Sequence, residues 1–232
     1  MKVRIAGTVL VAALVSFAGY AALFIAPDES TMHEVQRIFY FHLPAWMTSF
    51  TAFAIVFVSN IAYLTTRRLK WDCLGVAAAE VGVACCSIGL ITGPLWGAKA
   101  WGSFWTWDPR LTTALLSFLI YVAYLVLRAF AGDGTVEKRF SAALGVLGAA
   151  NLPIIHYSVQ KWGGQHPMVI TGSGGGLQHP DMKLALAGGF LCFTLIAALM
   201  LWARAGLELA RSRLARAEAD AIDLGLDTRT EG

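Results

Sequence analysis

Two histidines, a run of tryptophans and a few cations are the residues in this sequence whose types and spacing could do chemistry. From Gly93 to Arg110 the chain reads Gly-Pro-Leu-Trp-Gly-Ala-Lys-Ala-Trp-Gly-Ser-Phe-Trp-Thr-Trp-Asp-Pro-Arg. Trp96, Trp101, Trp105 and Trp107 thus fall within twelve residues. Membrane proteins carry interfacial aromatic belts, but a belt spreads its rings around the bundle. Packed into one glycine-punctuated stretch, the rings suit a platform on which a planar ligand can lie, with Gly97 and Gly102 letting the backbone turn or approach closely. Asp108-Pro109 combines a preferred N-cap with proline at the first helical position, so a helix should open at Arg110-Leu111 and hold the tryptophans at its end.

Histidines flank this stretch. Val35, Ile38, Phe39 and His42 recur at helical spacing opposite Glu34, Arg37 and Tyr40, which predicts a short interfacial helix with His42 on its apolar side just before Pro44. His166 follows Trp162-Gly-Gly-Gln and precedes Pro167. A lone histidine is usually structural, but two neutral imidazoles beside one aromatic surface are what bis-imidazole ligation of a haem iron needs. Haem also carries two propionates, and Arg37, Lys99 and Arg110 lie on the same side. Arg110 is suited to bidentate contact with a carboxylate. The same cations would equally balance Asp28, Glu29, Glu34, Asp108 and Asp181, and both readings stand. His156 sits in an apolar run three residues after Pro153 and is expected to support the site rather than ligate iron directly. Its partner should be Tyr157, Tyr121, a carbonyl loosened by the proline, or the underside of the pocket.

The elements that position these residues are membrane helices. The chain has 232 residues, 57% hydrophobic and 14% charged, where soluble domains run at about 45–50% and about 25%. A net charge of +3 is too mild to argue for nucleic acid. Cys73, Cys85, Cys86 and Cys192 lie in or at the start of apolar runs and form no CxxC or CxxCH pattern. That excludes a disulfide scaffold, a zinc finger and a covalent c-type cytochrome. No phosphate-cradling GxxxxGK[ST] loop and no HExxH helix is present, so ATP hydrolysis would need another chain.

Runs long enough to cross about 30 Å of hydrocarbon, roughly 20 residues each, predict an all-α bundle of six transmembrane helices near 5–26, 45–66, 73–93, 111–131, 140–160 and 183–203. The first run is longer than a signal-peptide core and is read as a retained helix. Thirteen of the eighteen cations fall in one set of alternate connections, leaving Arg37, Lys99, Arg110, Lys161 and Lys183 in the other. The positive-inside rule then predicts cytoplasmic N- and C-termini and outward loops at 27–44, 94–110 and 161–182. Residues 1–203 read as the membrane domain and 204–232 as a polar cytoplasmic tail, helical to about residue 221. The glycine-rich stretch Thr171–Gly176 reads as either a gate beside His166 or a spacer.

The segment Trp101-Gly-Ser-Phe-Trp-Thr-Trp-Asp-Pro-Arg-Leu-Thr112 closely resembles the tryptophan-rich WWD motif of haem-handling proteins in cytochrome c maturation. Together with Tyr40-Phe-His-Leu-Pro44 and Asn151-Leu-Pro-Ile-Ile-His-Tyr-Ser158, it makes roughly residues 5–203 similar to the haem exporter protein C family, CcmC. The resemblance implies that His42 and His166 are axial ligands of non-covalent haem b. It makes Trp96, Trp101, Trp105, Trp107 and Trp162 the platform, supported by Asp108 and His156. It implies no enzyme activity but the presentation of haem, at the outer face of a bacterial inner membrane, to the chaperone CcmE. CcmA, CcmB and CcmD would be partners, with ATP hydrolysed by CcmA. The chain departs from the family where two adjacent tryptophans and Thr-Leu-His are usual: here it reads Lys161-Trp162-Gly-Gly-Gln-His166. That thins the second aromatic wall and makes His179 a rival ligand, although the register favours His166. Other classes fit less well. A secondary transporter would need broken polar helices at the midplane and usually a repeat. A b-type electron-transfer cytochrome would need histidine pairs inside the bundle, where only His156 lies.

Overall fold

The computed structural model describes residues 2–130, 134–164 and 177–225, with side chains from Gly7 onward. Its elements are α1 (Lys2–Tyr20), continued by a π turn (Ala21–Ile25); a 3-10 segment (Glu34–Ile38); α2 (Phe39–Thr66); α3 (Leu69–Trp101); α4 (Pro109–Phe130); α5 (Thr135–Ala149); α6 (Asn151–Trp162); and α7 (Pro180–Asp223). Among the described residues there is no strand, only one isolated bridge between Glu29 and His33. Six helical stretches are long and apolar enough to cross a membrane, α5 and α6 together making the fifth. The predicted all-α bundle and its six spans are therefore present.

Two of the predicted loops are largely helix. The 3-10 segment runs straight into α2, so His42 sits in the first turn of the second span and Pro44 lies inside it. Pro44 has no N–H for the Tyr40 carbonyl, and Gly189 of α7 comes close to that oxygen. Likewise α3 passes through Pro94 and ends only at Trp101, where Gly102 adopts the left-handed conformation (φ 72°) and its N–H bonds to the Ala98 carbonyl at 3.1 Å. Prolines persist inside apolar helices where neighbouring helices compensate for the lost bond. The connection that remains is short, from Gly102 to Asp108.

The most extensive interface joins α2 to α3, which run antiparallel across the two-residue link Arg67-Arg68. Its register is set by large side chains of α2 opposite glycines of α3. Asn60 faces Gly75, Phe53 faces Gly82, Trp46 faces Gly89 and, at the end, His42 faces Gly93. The first three pairs recur at seven-residue steps on both helices, the period of a coiled-coil seam. A Cβ on Gly75 would fall 2.7 Å from Asn60 Oδ1, one on Gly82 2.5 Å from Phe53 Cε1, and one on Gly89 would overlap the Trp46 indole. Only glycine permits this approach. Phe53 also stacks on Tyr121 of α4 with ring centroids 3.8 Å apart.

Two ion pairs tie neighbouring helices together. Arg204 of α7 grips Glu80 of α3 in a two-point contact, Nε to Oε2 and Nη2 to Oε1, both at 2.5 Å. Arg128 of α4 donates to Asp72 of α3 at 2.9 Å, with both side chains buried. In the fifth span Pro153 removes a helical donor, and the helix breaks between Ala149 and Asn151. Asn151 then turns its Nδ2 to α4, donating to the Thr113 carbonyl at 2.7 Å and to Ser117 Oγ at 2.8 Å. α6 is thus hung on α4.

Candidate functional site

At the end of the bundle where α2 begins and α3 ends, a cavity of about 310 Å³ opens between α2, α3, α4 and α6. That volume is at the lower edge of the range for small-molecule sites, about 300–1,000 Å³. Its walls are mainly apolar, from Phe39, Leu43, Trp46, Phe50, Leu90 and Ile155. His42, Trp96, Trp101, Trp105, Arg110 and His156 stand among them. Residues from three segments far apart in the chain therefore converge on one space.

His42 enters from the first turn of α2. Its Nδ1 lies 2.9 Å from Thr92 Oγ1 on α3, and its ring meets Trp46 edge to face, with centroids 6.3 Å apart at 72°. A Cβ on Gly93 would come within 3.2 Å of His42 Cε1, so the imidazole lies directly against the α3 backbone. From the last turns of α3, Trp96 and Trp101 contribute rings 5.8 Å apart at 82°. Trp105 follows in the connecting segment, where Ser103 Oγ donates to its carbonyl at 2.9 Å. The tryptophans meet edge to face and form walls, where a single flat floor was expected. The indole N–H groups of Trp96 and Trp105 are buried without an acceptor.

The α4 terminus supplies the cation. Asp108 caps it, its Oδ1 accepting from the Leu111 N–H at 2.8 Å, and Pro109 takes the first helical position. Arg110 is thereby turned toward the cavity, where its Nη2 donates to the His156 carbonyl at 3.2 Å and links α4 to α6. His156 lies on the cavity beside Arg110 and meets Tyr157 edge to face at 4.8 Å. One ligand could touch His42 on one wall and the Arg110–His156 pair on the other.

Other residues singled out in the sequence stand elsewhere. Trp107 packs edge to face on Trp105 at 5.7 Å but is 76% exposed, and Trp162 is 64% exposed; neither lines the cavity. Lys99 is exposed outside it, and Arg37 pairs with Asp28 at 2.9 Å. His179 serves as N-cap of α7, its Nδ1 accepting from the Asp181 N–H at 3.2 Å. His166 and Thr171–Gly176 lie outside the described residues. Among those described, no group of three or more His, Cys, Asp or Glu side chains could hold a metal ion.

Sequence reasoning passed over Thr92, Gln160 and the full part of Trp46, all of which border the cavity or the histidine on it. The seven-residue spacing of Trp46, Phe53 and Asn60 against Gly75, Gly82 and Gly89 was the available signal. It acquires meaning only once the two helices are known to be neighbours.

The sequence profile of the family described as heme exporter protein C matches residues 2–220. Heme exporter protein C of Bradyrhizobium diazoefficiens is 33% identical over 174 residues, covering 74% of this chain and 66% of that protein. The Escherichia coli K12 protein of the same name is 37% identical over 142 residues, covering 61% and 58%. That of Paracoccus denitrificans is 29% identical over 198 residues, covering 83% and 80%. The matched chain thus spans just under two thirds of the Bradyrhizobium protein and less than three fifths of the Escherichia coli one.

Proposed function

The chain belongs to the heme exporter protein C family, and on that premise we propose that it holds haem in the cavity between His42 and Arg110 for cytochrome c biogenesis. It binds haem b without covalent attachment, at the outer face of a bacterial inner membrane, and hands it to the chaperone CcmE. CcmA, CcmB and CcmD are its partners, and CcmA supplies the ATP hydrolysis. Haem is cargo here, and this chain carries out no bond-making chemistry on it.

One observation carries the reading: a single cavity gathers two imidazoles, four tryptophans and an arginine guanidinium. Haem presents an iron that takes a neutral imidazole nitrogen, an apolar ring that packs on indoles, and carboxylates that pair with arginine. The chain supplies each counterpart. His42 ligates iron; Trp96, Trp101 and Trp105 wall the porphyrin; Arg110 takes a propionate. The buried indole donors of Trp96 and Trp105 give further partners for an anionic oxygen, since a donor left unmade is costly. His166 provides the second axial nitrogen, Trp107 and Trp162 close the rim as the ligand seats, and Lys99 and Arg37 add positive potential around it.

A second reading concerns the iron's other ligand. His156 shares the cavity with His42, so the pair could hold iron between two helices as b-type cytochromes do. The visible spectrum of purified protein loaded with haem separates the two. Under the first reading His42→Ala and His166→Ala each weaken haem retention, and the double variant nearly abolishes it, while His156→Ala leaves the iron spectrum in place. Loss of an axial ligand in His156→Ala establishes the second. Full retention with unshifted absorption in both His42→Ala and His166→Ala overturns the assignment.

A further inference from the structure

We propose that Thr92 is the positioning residue that locks His42 in its Nδ1–H tautomer and so makes Nε2 the iron-binding nitrogen. The proposal rests on the haem-holding role of His42 and specifies how that imidazole is prepared for it.

The argument is one of proton accounting around a single hydroxyl. Thr92 Oγ1 lies 2.6 Å from the Ile88 carbonyl, one turn earlier on α3, and 2.9 Å from His42 Nδ1. A third oxygen, the Gly89 carbonyl, is 3.5 Å away. A hydroxyl has one proton to give and two lone pairs to receive with, and a carbonyl can only accept. The shorter contact has the length of an O–H···O bond and the longer one that of an N–H···O bond. The Thr92 proton therefore goes to Ile88, and its remaining interaction with His42 must be as acceptor. That requires a proton on Nδ1. Neutral imidazole carries one N–H, so the lone pair is on Nε2.

Iron needs a lone-pair nitrogen, and a ligating histidine almost always donates its other ring N–H to an oxygen that orients it and raises its basicity. Thr92 supplies that oxygen from the same helix that carries Trp96 and Trp101. The neighbouring residue contributes too. Gly93 presents no side chain, so the ring lies close enough to α3 for the bond to form. Iron ligand, orienting acceptor and tryptophan wall are thereby tied to one pair of helices.

Three variants test this in the full-length protein: Thr92→Val, which keeps the shape and removes the hydroxyl; Thr92→Ser, which restores it; and His42→Ala. Imidazole nitrogen shifts in protein labelled with 15N-histidine report the tautomer before haem is added, and a haem titration with visible spectra then reports affinity. We expect wild type and Thr92→Ser to show protonated Nδ1 at His42. Thr92→Val should shift His42 toward the Nε2–H form and weaken haem binding by about 10–100-fold, the usual cost of losing a ligand's orienting partner. Protonated Nε2 in the wild type overturns the proposal, as does Thr92→Val with an unchanged tautomer or with haem affinity within about twofold of wild type. If the tautomer responds as expected but His42→Ala retains haem fully, the haem reading of His42 has failed while the Thr92–His42 coupling stands.

Discussion

The two sides of the cavity are built differently. His42 stands on the α2–α3 pair, where large side chains sit over glycines at seven-residue steps and the ring rests against the α3 backbone. His156 stands on α6, a twelve-residue helix set off by the break at Ala150 and fastened to α4 by Asn151 and by the Arg110 contact to the His156 carbonyl. One wall is held by close packing over its whole length, the other by a shorter buried face of Asn151, Ile155 and Ser158 with hydrogen bonds at its start and middle. Packed interfaces resist small displacements because every shift opens a void or forces an overlap, and a twelve-residue helix has less such interface to give up than the long α2–α3 pair. A site that must both hold and release a ligand gains from such asymmetry.

The contrast can be broken most directly by removing a knob from the packed wall. Phe53 is 1% exposed and stacked on Tyr121. Phe53→Ala should destabilise the bundle by about 3–5 kcal/mol and lower its thermal midpoint in detergent, losing both walls together. If α6 melts separately while α2 and α3 persist, the packed wall is not the foundation. A smaller and more local effect is expected from Asn151→Ala, which removes both Nδ2 bonds to α4 and should cost about 1–3 kcal/mol. Hydrogen exchange should rise over residues 151–162 and stay unchanged across α2 and α3. Equal acceleration on both sides would erase the distinction.

Smaller still is the response to Gly93→Ala. The added methyl would lie 3.2 Å from His42 Cε1, so the ring must give by a few tenths of an ångström. Haem affinity should fall roughly fivefold, about 1 kcal/mol, with thermal stability nearly unchanged. An unaltered affinity would show that the ring has slack the packed wall is argued not to allow. Smallest of all is a control outside both walls. Glu29 receives the Met32 and Thr31 N–H groups at 2.6 and 2.7 Å, and the Met32 bond, the largest influence, holds its carboxyl below the ordinary range. Its contribution is therefore present above the unfolded carboxylate value and lost as pH falls through the lowered one. Between about pH 6 and about pH 3, protection of the Thr31 and Met32 amides relative to their intrinsic exchange rates should fall while that of the packed wall stays unchanged.

The difference between the walls also marks what could be read in advance. Apolar runs announced the six spans because hydrocarbon demands them, and the crowding of tryptophan and histidine pointed to the end of the bundle where the cavity lies. The extension of α3 to Trp101 was hidden by Pro94 and Gly97, residues that signal a loop in isolation but are tolerated where a neighbouring helix covers the backbone. Trp107 and Trp162 fell outside the cavity. Trp107 follows the left-handed turn at Gly102, and no local pattern specifies where such a turn sends the rings after it, while Trp162 is the exposed last residue of α6. Thr92 was invisible because its importance lies in a partner fifty residues earlier.

The seven-residue register of α2 against α3 imposes a rule on how the length of this protein can change. Between Asn60 and His42 the chain runs as one helix, so inserting a single residue near Phe53 would turn everything before it by about 100°. Trp46 would leave its glycine, and His42 would swing off the face that meets Thr92. An insertion of seven would restore the facing but raise the imidazole by roughly 10 Å, above the tryptophans meant to share its ligand. Residues can accumulate freely in the tail beyond α7, but this stretch of α2 tolerates substitution only at constant length. It measures the distance from the foot of the bundle to the imidazole at the cavity.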